Sequence, residues 1–483
     1  MRFFVSICSL AIAGLIGLPD AGVAEQGQAP QTVKYSLRDA ISEALRHSPQ
    51  LSTTEDATAT ARIQQQVAEA RYRPAITPTL NTGAAPSGLA QQNFGLSVAQ
   101  LLPTGTQVQA SANSIRYGSG AGDVRDTGYT IGFSQPLLRG FGAASRADLK
   151  NAQYAVEGAG RNSADARQQL VVSVAHAYYN VVRQERLADI GDRAVQRAAK
   201  LAEMSEARAR VGLSTQLDVL RARLLQSQAQ AAAFRDHDAL DAAREDLNVL
   251  IGRQPESPLD VEGDLAADLR ELECATGRSA DVQADMDNVL AENALRDRLD
   301  MQSARARVSE ARWSSSVAQW NLLPQLNLDV TYTRRGLGAS PLDAFGTLMN
   351  GWRVGLSSTY SLDRSRESAS AVLAQVSLRG AERTLTETQN RVATEVHRSS
   401  RSLARAGDAV ALQRNAMDLA EQQRDLATLR FERGLADNIE VVDAENNVFQ
   451  AEAALLGAEI DRNLAFVALQ RACGTLEPDR FLQ

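Results

Sequence analysis

The chain has 483 residues, enough for two or three ordinary domains, and a formal net charge of −7. That balance leaves no basic footprint for nucleic acid. Charged residues make up 23% and aromatics 5%, and Ala, Gln and Arg recur in every block from 143 onward, a composition that favours extended helix over one broad core.

The N-terminus, MRFFVSICSLAIAGLIGLPDAGVAEQG, places Arg2 ahead of an apolar stretch from Phe3 to Leu18 and ends in the small-x-small site Gly22-Val23-Ala24. The stretch is too short to span a bilayer, so residues 1–24 read as a secretory signal cut after Ala24. No run of 18 apolar residues follows, so if the mature chain crosses a membrane it does so with strands. Cys8 lies within the signal. Cys274 and Cys473 are left in a compartment that permits disulfides, and a bridge or two buried thiols are both open.

Further along, the chain repeats itself. Ala44-Leu45-Arg46 returns as Ala294-Leu295-Arg296, and VAEARYRP (67–74) returns as VAQWNLLP (317–324), both at an offset of 250. VGLSTQLDVLRA (211–222) then answers RGLADNIEVVDA (433–444) at an offset of 222, so the first copy carries 28 more residues between these points. The expected organisation is a first repeat over 36–252, a linking segment over 253–290, a second repeat over 291–474 and a tail over 475–483.

In each copy short helices come first. SLRDAISEALRHSPQL (36–51) opens on a Ser cap with apolar residues at helical spacing, and a second helix stops before Pro74. Alternation then replaces helical spacing. Phe94, Leu96 and Val98 oppose Gly95, Ser97 and Ala99, and Tyr129, Ile131 and Phe133 oppose Thr130, Gly132 and Ser134. In the second copy Leu326, Leu328, Val330 and Tyr332 oppose polar neighbours, as do Trp352, Val354 and Leu356. Strands are expected over about 94–117, 127–137, 325–333 and 352–360, each greasy on one face and wet on the other. Four strands cannot close the smallest eight-stranded barrel, and lipid tolerates no open edge. Either the sheet is half-buried in a soluble domain, or several chains share one barrel, with eight strands from two chains or twelve from three.

The helical blocks favour sharing. Residues 143–210 contain no proline, which allows a helix of roughly 100 Å. Leu217, Leu220, Leu224, Ser227, Ala231 and Phe234 step by three and four, and Leu412, Leu419 and Leu426 recur every seven residues, a coiled-coil rhythm. Helical hairpins are expected over 143–250 and 365–472. Four scattered histidines give no metal cluster, and no catalytic constellation or phosphate loop is present.

The residues of SLRDAISEALRHSPQL (36–51), FSQPLLRGFG (133–142), AHAYYNVV (175–182) and the two turns VGLSTQLDVL (211–220) and RGLADNIEVVDA (433–444), in this order, resemble the TolC-like outer membrane efflux family. The resemblance implies an α+β membrane protein: a homotrimer whose twelve-stranded transmembrane β-barrel, four strands per chain, continues into a periplasmic α-helical coiled-coil tunnel with a mixed equatorial belt. It implies a passive export duct for small molecules or polypeptides, with no cofactor, that docks on a periplasmic adaptor bound to an inner-membrane RND or ABC transporter. The adaptor-contacting tip would be Arg210, Val211, Gly212, Leu213, Ser214, Arg433, Gly434 and Leu435. The periplasmic gate would be Glu440, Asp443, Asp218 and Asp437, with three copies of each carboxylate near the axis. Family members carry an arginine where this chain has Ala436, so a latch to Asp218 must come from Arg433 or Arg221, or the gate is held by packing around Leu217, Ile439 and Val442. A non-conducting envelope scaffold on the same helices is the rival reading.

Overall fold

The computed structural model describes residues 33–84, 90–119, 122–212, 214–276, 287–339, 349–436 and 438–482. The signal expected over 1–24 lies outside them. Ser36 caps helix α1 (Leu37–His47) through a reciprocal box with Asp39, and Pro49 opens α2 (Pro49–Ala70) at the position where its missing N–H is not needed. The second copy answers with α6 (Asp287–Asp297) and α7 (Leu299–Trp320). Two helical hairpins follow the strands of the two copies: α3 (Ala147–Arg210) with α4 (Gln216–Leu250), and α8 (Ser365–Glu432) with α9 (Asn438–Cys473). At 64 and 68 residues, α3 and α8 each run about 100 Å. No described helix is long and apolar enough to cross a membrane.

The main sheet has six strands, in the order β2 (Ala75–Ala84), β3 (Ala90–Leu101), β4 (Gln107–Ser119), β5 (Gly122–Pro136), β7 (Gln325–Gly338) and β8 (Met349–Thr359), all antiparallel. Four were expected. The stretch 94–117 is two strands, because Leu102–Thr106 turns the chain back, with Gly105 at φ 91. The strand β2 has no counterpart among the expected ones, since Pro78 and Gly83 break its pattern.

The register aligns apolar residues across the whole sheet. Ile76, Val98, Ala110, Ile131, Tyr332 and Trp352 form one row, and Val108, Phe133, Val330 and Val354 form the next. Much of this face is bare: Ile131 is 49% exposed, Val354 68% and Trp352 73%. The opposite face carries Ser97, Ser111, Thr130 and Thr333, with Asp329 accepting hydrogen bonds of 2.6 Å from both Ser134 and Ser357. Asp123 and Arg125 lie within β5 and Arg334 and Arg335 within β7, and Arg335 donates to Asp126 across the strand pair at 2.7 and 2.9 Å.

Midway along the helices sits the belt. The parallel pair β1 (Val33–Tyr35) and β6 (Leu259–Val261), together with α5 (Leu265–Thr276), surround the main core of Tyr178, Tyr179, Leu247, Ile251, Met301, Phe466 and Leu476. Both tyrosines are fully buried with rings edge-on at 5.5 Å, while His176 beside them is exposed. Their hydroxyls are partnered: Gly263 N–H donates to Tyr178 at 3.4 Å and Asn463 Nδ2 to Tyr179 at 3.3 Å. Arg298 ties the second copy into the belt through Asp300 at 3.0 Å, Glu395 at 2.9 Å and the Ala472 carbonyl at 3.0 Å. The tail contributes a short 3-10 turn, Pro478–Leu482, whose Phe481 joins the same core. Cys473 is buried there, and the side chain of Cys274 lies outside the described residues. Leu247 is fully buried, so Leu247→Ala is expected to lower stability by about 2–5 kcal/mol, measured as the melting temperature of the detergent-solubilised protein.

Candidate functional site

At the end of the helices remote from the sheet, two turns close the hairpins. The chain leaves α3 through Val211 and Gly212, with Gly212 at φ 79, and leaves α8 through Arg433 and Gly434, with Gly434 at φ 74. The second exit is a Schellman motif: Leu435 N–H donates to the Arg430 carbonyl at 2.8 Å and Gly434 N–H to that of Phe431 at 3.0 Å. This geometry presents Arg210, Val211, Gly212, Arg433, Gly434 and Leu435 to solvent, with Val211 69% and Leu435 67% exposed. Ser214 is half-buried beneath them. Leu213 and Asp437 lie outside the described residues.

Asp218, predicted to act across the tip, works locally as the third residue of a capping box. Its Oδ2 accepts from Thr215 N–H at 2.9 Å, Thr215 Oγ1 at 2.6 Å and Ser214 Oγ at 3.1 Å, while Asp218 N–H returns a bond to Thr215 Oγ1 at 3.2 Å. The bonds from the Thr215 side chain and backbone hold its carboxyl below the usual range, against a smaller opposing effect of burial, with Ser214 and Arg221 adding to them.

Glu440 and Asp443 share one face of α9, as their spacing predicts, and both are exposed. They differ in company. Arg430 on α8 donates to Glu440 at 3.0 Å, whereas among the described residues Asp443 makes no ion pair. Glu440 therefore has a counter-ion within its own hairpin, and Asp443 has none among the described residues.

The two hairpins are fastened by a residue that the sequence reading missed. Arg208 on α3 donates to the Phe431 carbonyl at the end of α8, and its guanidinium lies 4.4 Å above the Phe431 ring. Beneath this clasp a small apolar cluster joins Leu201, Ala222, Phe431, Val441 and Ala444 from all four helices. A cavity of about 660 Å³ opens between the same helices, lined by Leu201, Met204, Leu225, Phe431 and Phe449. Between α3 and α9 runs a ladder of ion pairs, Arg183 with Asp461 at 3.2 Å, Arg193 with Glu452 at 2.7 Å and Arg197 with Glu445 at 2.6 Å. Pairs this exposed contribute about 0–1 kcal/mol each, so they align the hairpins more than they weld them.

A sheet with one bare apolar face, set on helices about 100 Å long, defines the subunit fold of trimeric outer-membrane channel-tunnels. A sequence profile of the outer membrane efflux protein family matches residues 40–253 and 290–475, and the chain belongs to that family. Its fold is similar to that of VceC from Vibrio cholerae (19% identity, 91% of this chain and 96% of that one, TM-score 0.67). It is also similar to CusC (16% identity, 95% and 96%, TM-score 0.70) and to the open state of Neisseria gonorrhoeae MtrE (18% identity, 91% and 88%, TM-score 0.65). A curated relative, the fusaric acid resistance protein FusA of Burkholderia cepacia, is 27% identical over 210 residues, which is 43% of this chain and 37% of FusA.

Among the described residues no group of three or more His, Cys, Asp or Glu is placed to hold a metal ion. The geometry of the tip offers charge, exposed apolar side chains and a fastener. Removing the Asp218 half of the capping box by Asp218→Ala is expected to cost about 0.3–1.5 kcal/mol, confined to the start of α4. Because the folded-state pKa is lowered, the stabilisation is complete above the unfolded value of about 4 and is lost as pH falls through the lower folded value. Amide exchange in the first turn of α4 is expected to quicken in that acid window, and Asp218→Asn is expected to remove the pH dependence.

Proposed function

We propose that this chain is the passive outer-membrane exit duct of an export system, working as a trimer and energised by a partner. The observation that carries the reading is the apolar face aligned across every strand of the main sheet and backed by a polar one, on a sheet joined directly to the long helices. Such a face belongs against hydrocarbon, and its polar reverse belongs around water.

The helices support the same assembly. Within the chain α3 packs along α4, α9 along α8, and α3 beside α9, so α4 and α8 form the two flanks. Each flank bears the leucine stripe that the sequence rhythm marks out. Leu217, Leu220 and Leu224 are 54–62% exposed on α4, and Leu412, Leu419 and Leu426 are 58–66% exposed on α8. We infer that the α4 stripe of one copy packs on the α8 stripe of the next, closing a ring of twelve helices in three copies.

The exposed tip, Arg210, Val211, Gly212 and Ser214 with Arg433, Gly434 and Leu435, and Leu213 by sequence, is the surface offered to a periplasmic adaptor and through it to an RND or ABC transporter. The gate is assigned to Asp443 with Glu440, and by sequence Asp437, held shut by the Arg208 clasp; Asp218 serves it as the cap that fixes the adjoining turn. The partial match to a fusaric acid resistance protein supports small organic molecules as cargo.

Two measurements test the reading. In planar bilayers the trimer is expected to conduct, with divalent or trivalent cations blocking the current from the tip side. Asp443→Ala is expected to weaken the block more than Glu440→Ala, because Arg430 already compensates Glu440; unchanged block in the double variant would remove both from the gate, and a trimer that never conducts would favour a scaffold. Leu224→Asp is expected to shift the detergent-solubilised protein from trimer to monomer, read by light scattering, while leaving the fold of the chain intact by circular dichroism.

A further inference from the structure

The 28 residues by which the first copy exceeds the second have a place in the fold. Between the equivalent helix starts Pro49 and Leu299 the offset is 250, and between Gln216 and Asn438 it is 222. The strands β2 and β5 of the first copy answer β7 and β8 of the second. The excess is therefore the hairpin β3–β4, inserted between β2 and β5.

The hairpin is built into the wall rather than laid over it. It pairs continuously on both sides, β3 with β2 from Ala90↔Ala84 to Ala99↔Ala75, and β4 with β5 from Gln107↔Ser134 to Ser119↔Gly122. Its alternation is in phase with its neighbours, so that Leu96, Val98, Ala110 and Ala112 continue the apolar face and Ser97, Gln109, Ser111 and Asn113 continue the polar one. A slip of one residue would have reversed this. Its lower turn is tied to the junction of sheet and helix: Gly142 N–H donates to the Thr104 carbonyl at 3.2 Å, and Ser145 Oγ to that of Pro103 at 2.6 Å. Gly105 is needed there, since a Cβ would meet the Gly140 carbonyl oxygen at 2.4 Å.

The outer edges of this sheet are β2 and β8. Their unpaired N–H and C=O groups cannot face lipid, and six strands are too few to close on themselves. Because six strands alternate in direction, β8 of one copy meets β2 of the next antiparallel, and any number of copies closes without a mismatched edge. We propose that three copies close an eighteen-stranded barrel, in which each β3–β4 hairpin is a wall segment. At equal strand tilt this makes the outer vestibule about half again as wide as a twelve-stranded closure. The added lumen surface, from Gln91, Asn93, Ser97, Gln109, Ser111 and Asn113 with Ile115 and Tyr117 toward its outer end, is uncharged, unlike the β5–β7–β8 side with Asp329 and Arg353. The bore of the vestibule is thereby set apart from the tip, which remains the selective constriction.

The inference rests on the outer-membrane reading above, and the test separates the two. Single spin labels are placed at Leu96→Cys and Ser97→Cys in β3, Ala110→Cys and Ser111→Cys in β4, and Ile131→Cys and Thr130→Cys in β5, in a Cys274→Ser background reconstituted into phospholipid vesicles. Collision rates with molecular oxygen, which concentrates in lipid, and with a neutral nickel chelate, which stays in water, are then compared. The expected result is inversion of the oxygen-to-nickel ratio between the two positions of every pair, with the apolar position on the oxygen side, in particles whose protein mass corresponds to three chains. If β5 alternates and the β3 and β4 pairs do not, the hairpin is outside the wall and the proposal fails while the membrane reading stands. If β5 also fails to alternate, the membrane reading itself fails. A mass of two chains would mean twelve strands and overturn the count. Should Leu96→Cys or Ala110→Cys not assemble, Val98→Cys and Ala112→Cys occupy the same face and give the same comparison.

Discussion

The structure depends on one constraint: a backbone edge cannot be left unpaired against hydrocarbon. Each unsatisfied N–H or C=O in that setting costs several kcal/mol, and both outer edges of this sheet present a row of them. Among the described residues no strand pairs with the outer edge of β2 or β8, and the apolar residues that make the sheet suitable for lipid are those that leave it unstable alone. Ile76 and Leu80 on one edge strand and Trp352 and Val354 on the other are each more than 60% exposed. The isolated chain is thus an arc whose completion lies in its copies, and the number of strands per arc decides the size of the circle.

The same incompleteness continues down the helices, which is why barrel and tunnel form one object. The flanking helices α4 and α8 carry leucines on the same two sides of the chain that end in unpaired strands at the sheet. A helix flank differs from a strand edge in what it tolerates: its backbone is already satisfied internally, so its stripe asks only for apolar cover, and cover of that kind can slide. The sheet end is accordingly fixed by hydrogen bonds in register, and the tip end is held by packing and a few polar clasps.

Much of this was legible in the sequence because the relevant periods are local. Alternation in 129–134 and 326–332, the three-four stepping of Leu217 to Phe234, and the drop in offset between copies all survive without knowledge of tertiary contacts. What the sequence concealed was the strand count. Leu102-Pro103-Thr104-Gly105 looks like an interruption within a strand, and only the pairing of β3 with β4 makes it a hairpin turn; β2, with Pro78 and Gly83, reads as loop until β3 supplies its partner. At the tip the Thr215-x-x-Asp218 spacing is a capping signature, yet a carboxylate next to a turn invites a longer-range role. The clasp had no signal at all, since Arg208 and Phe431 are 223 positions apart and nothing in either neighbourhood marks them as partners.

That clasp fastens the tip close to Ala436 without a side chain from that position. A guanidinium that bonds a helix-terminal carbonyl and stacks on an aromatic ring needs no carboxylate partner, and it acts on α8 at the residue where the Schellman turn begins. Phe431 thereby joins three functions: its carbonyl accepts from both Gly434 N–H and Arg208, its ring lies under the guanidinium, and its side chain fills the apolar cluster shared by all four helices. Pulling α8 outward would break the cation–π contact and open the cluster in one movement, whereas the capping box at Thr215 and Asp218 would travel intact with its own hairpin. The two hairpins of the tip therefore differ in how they are held: the α3–α4 turn by its own capping box, and the α8–α9 hairpin that carries Glu440 and Asp443 by the clasp from Arg208.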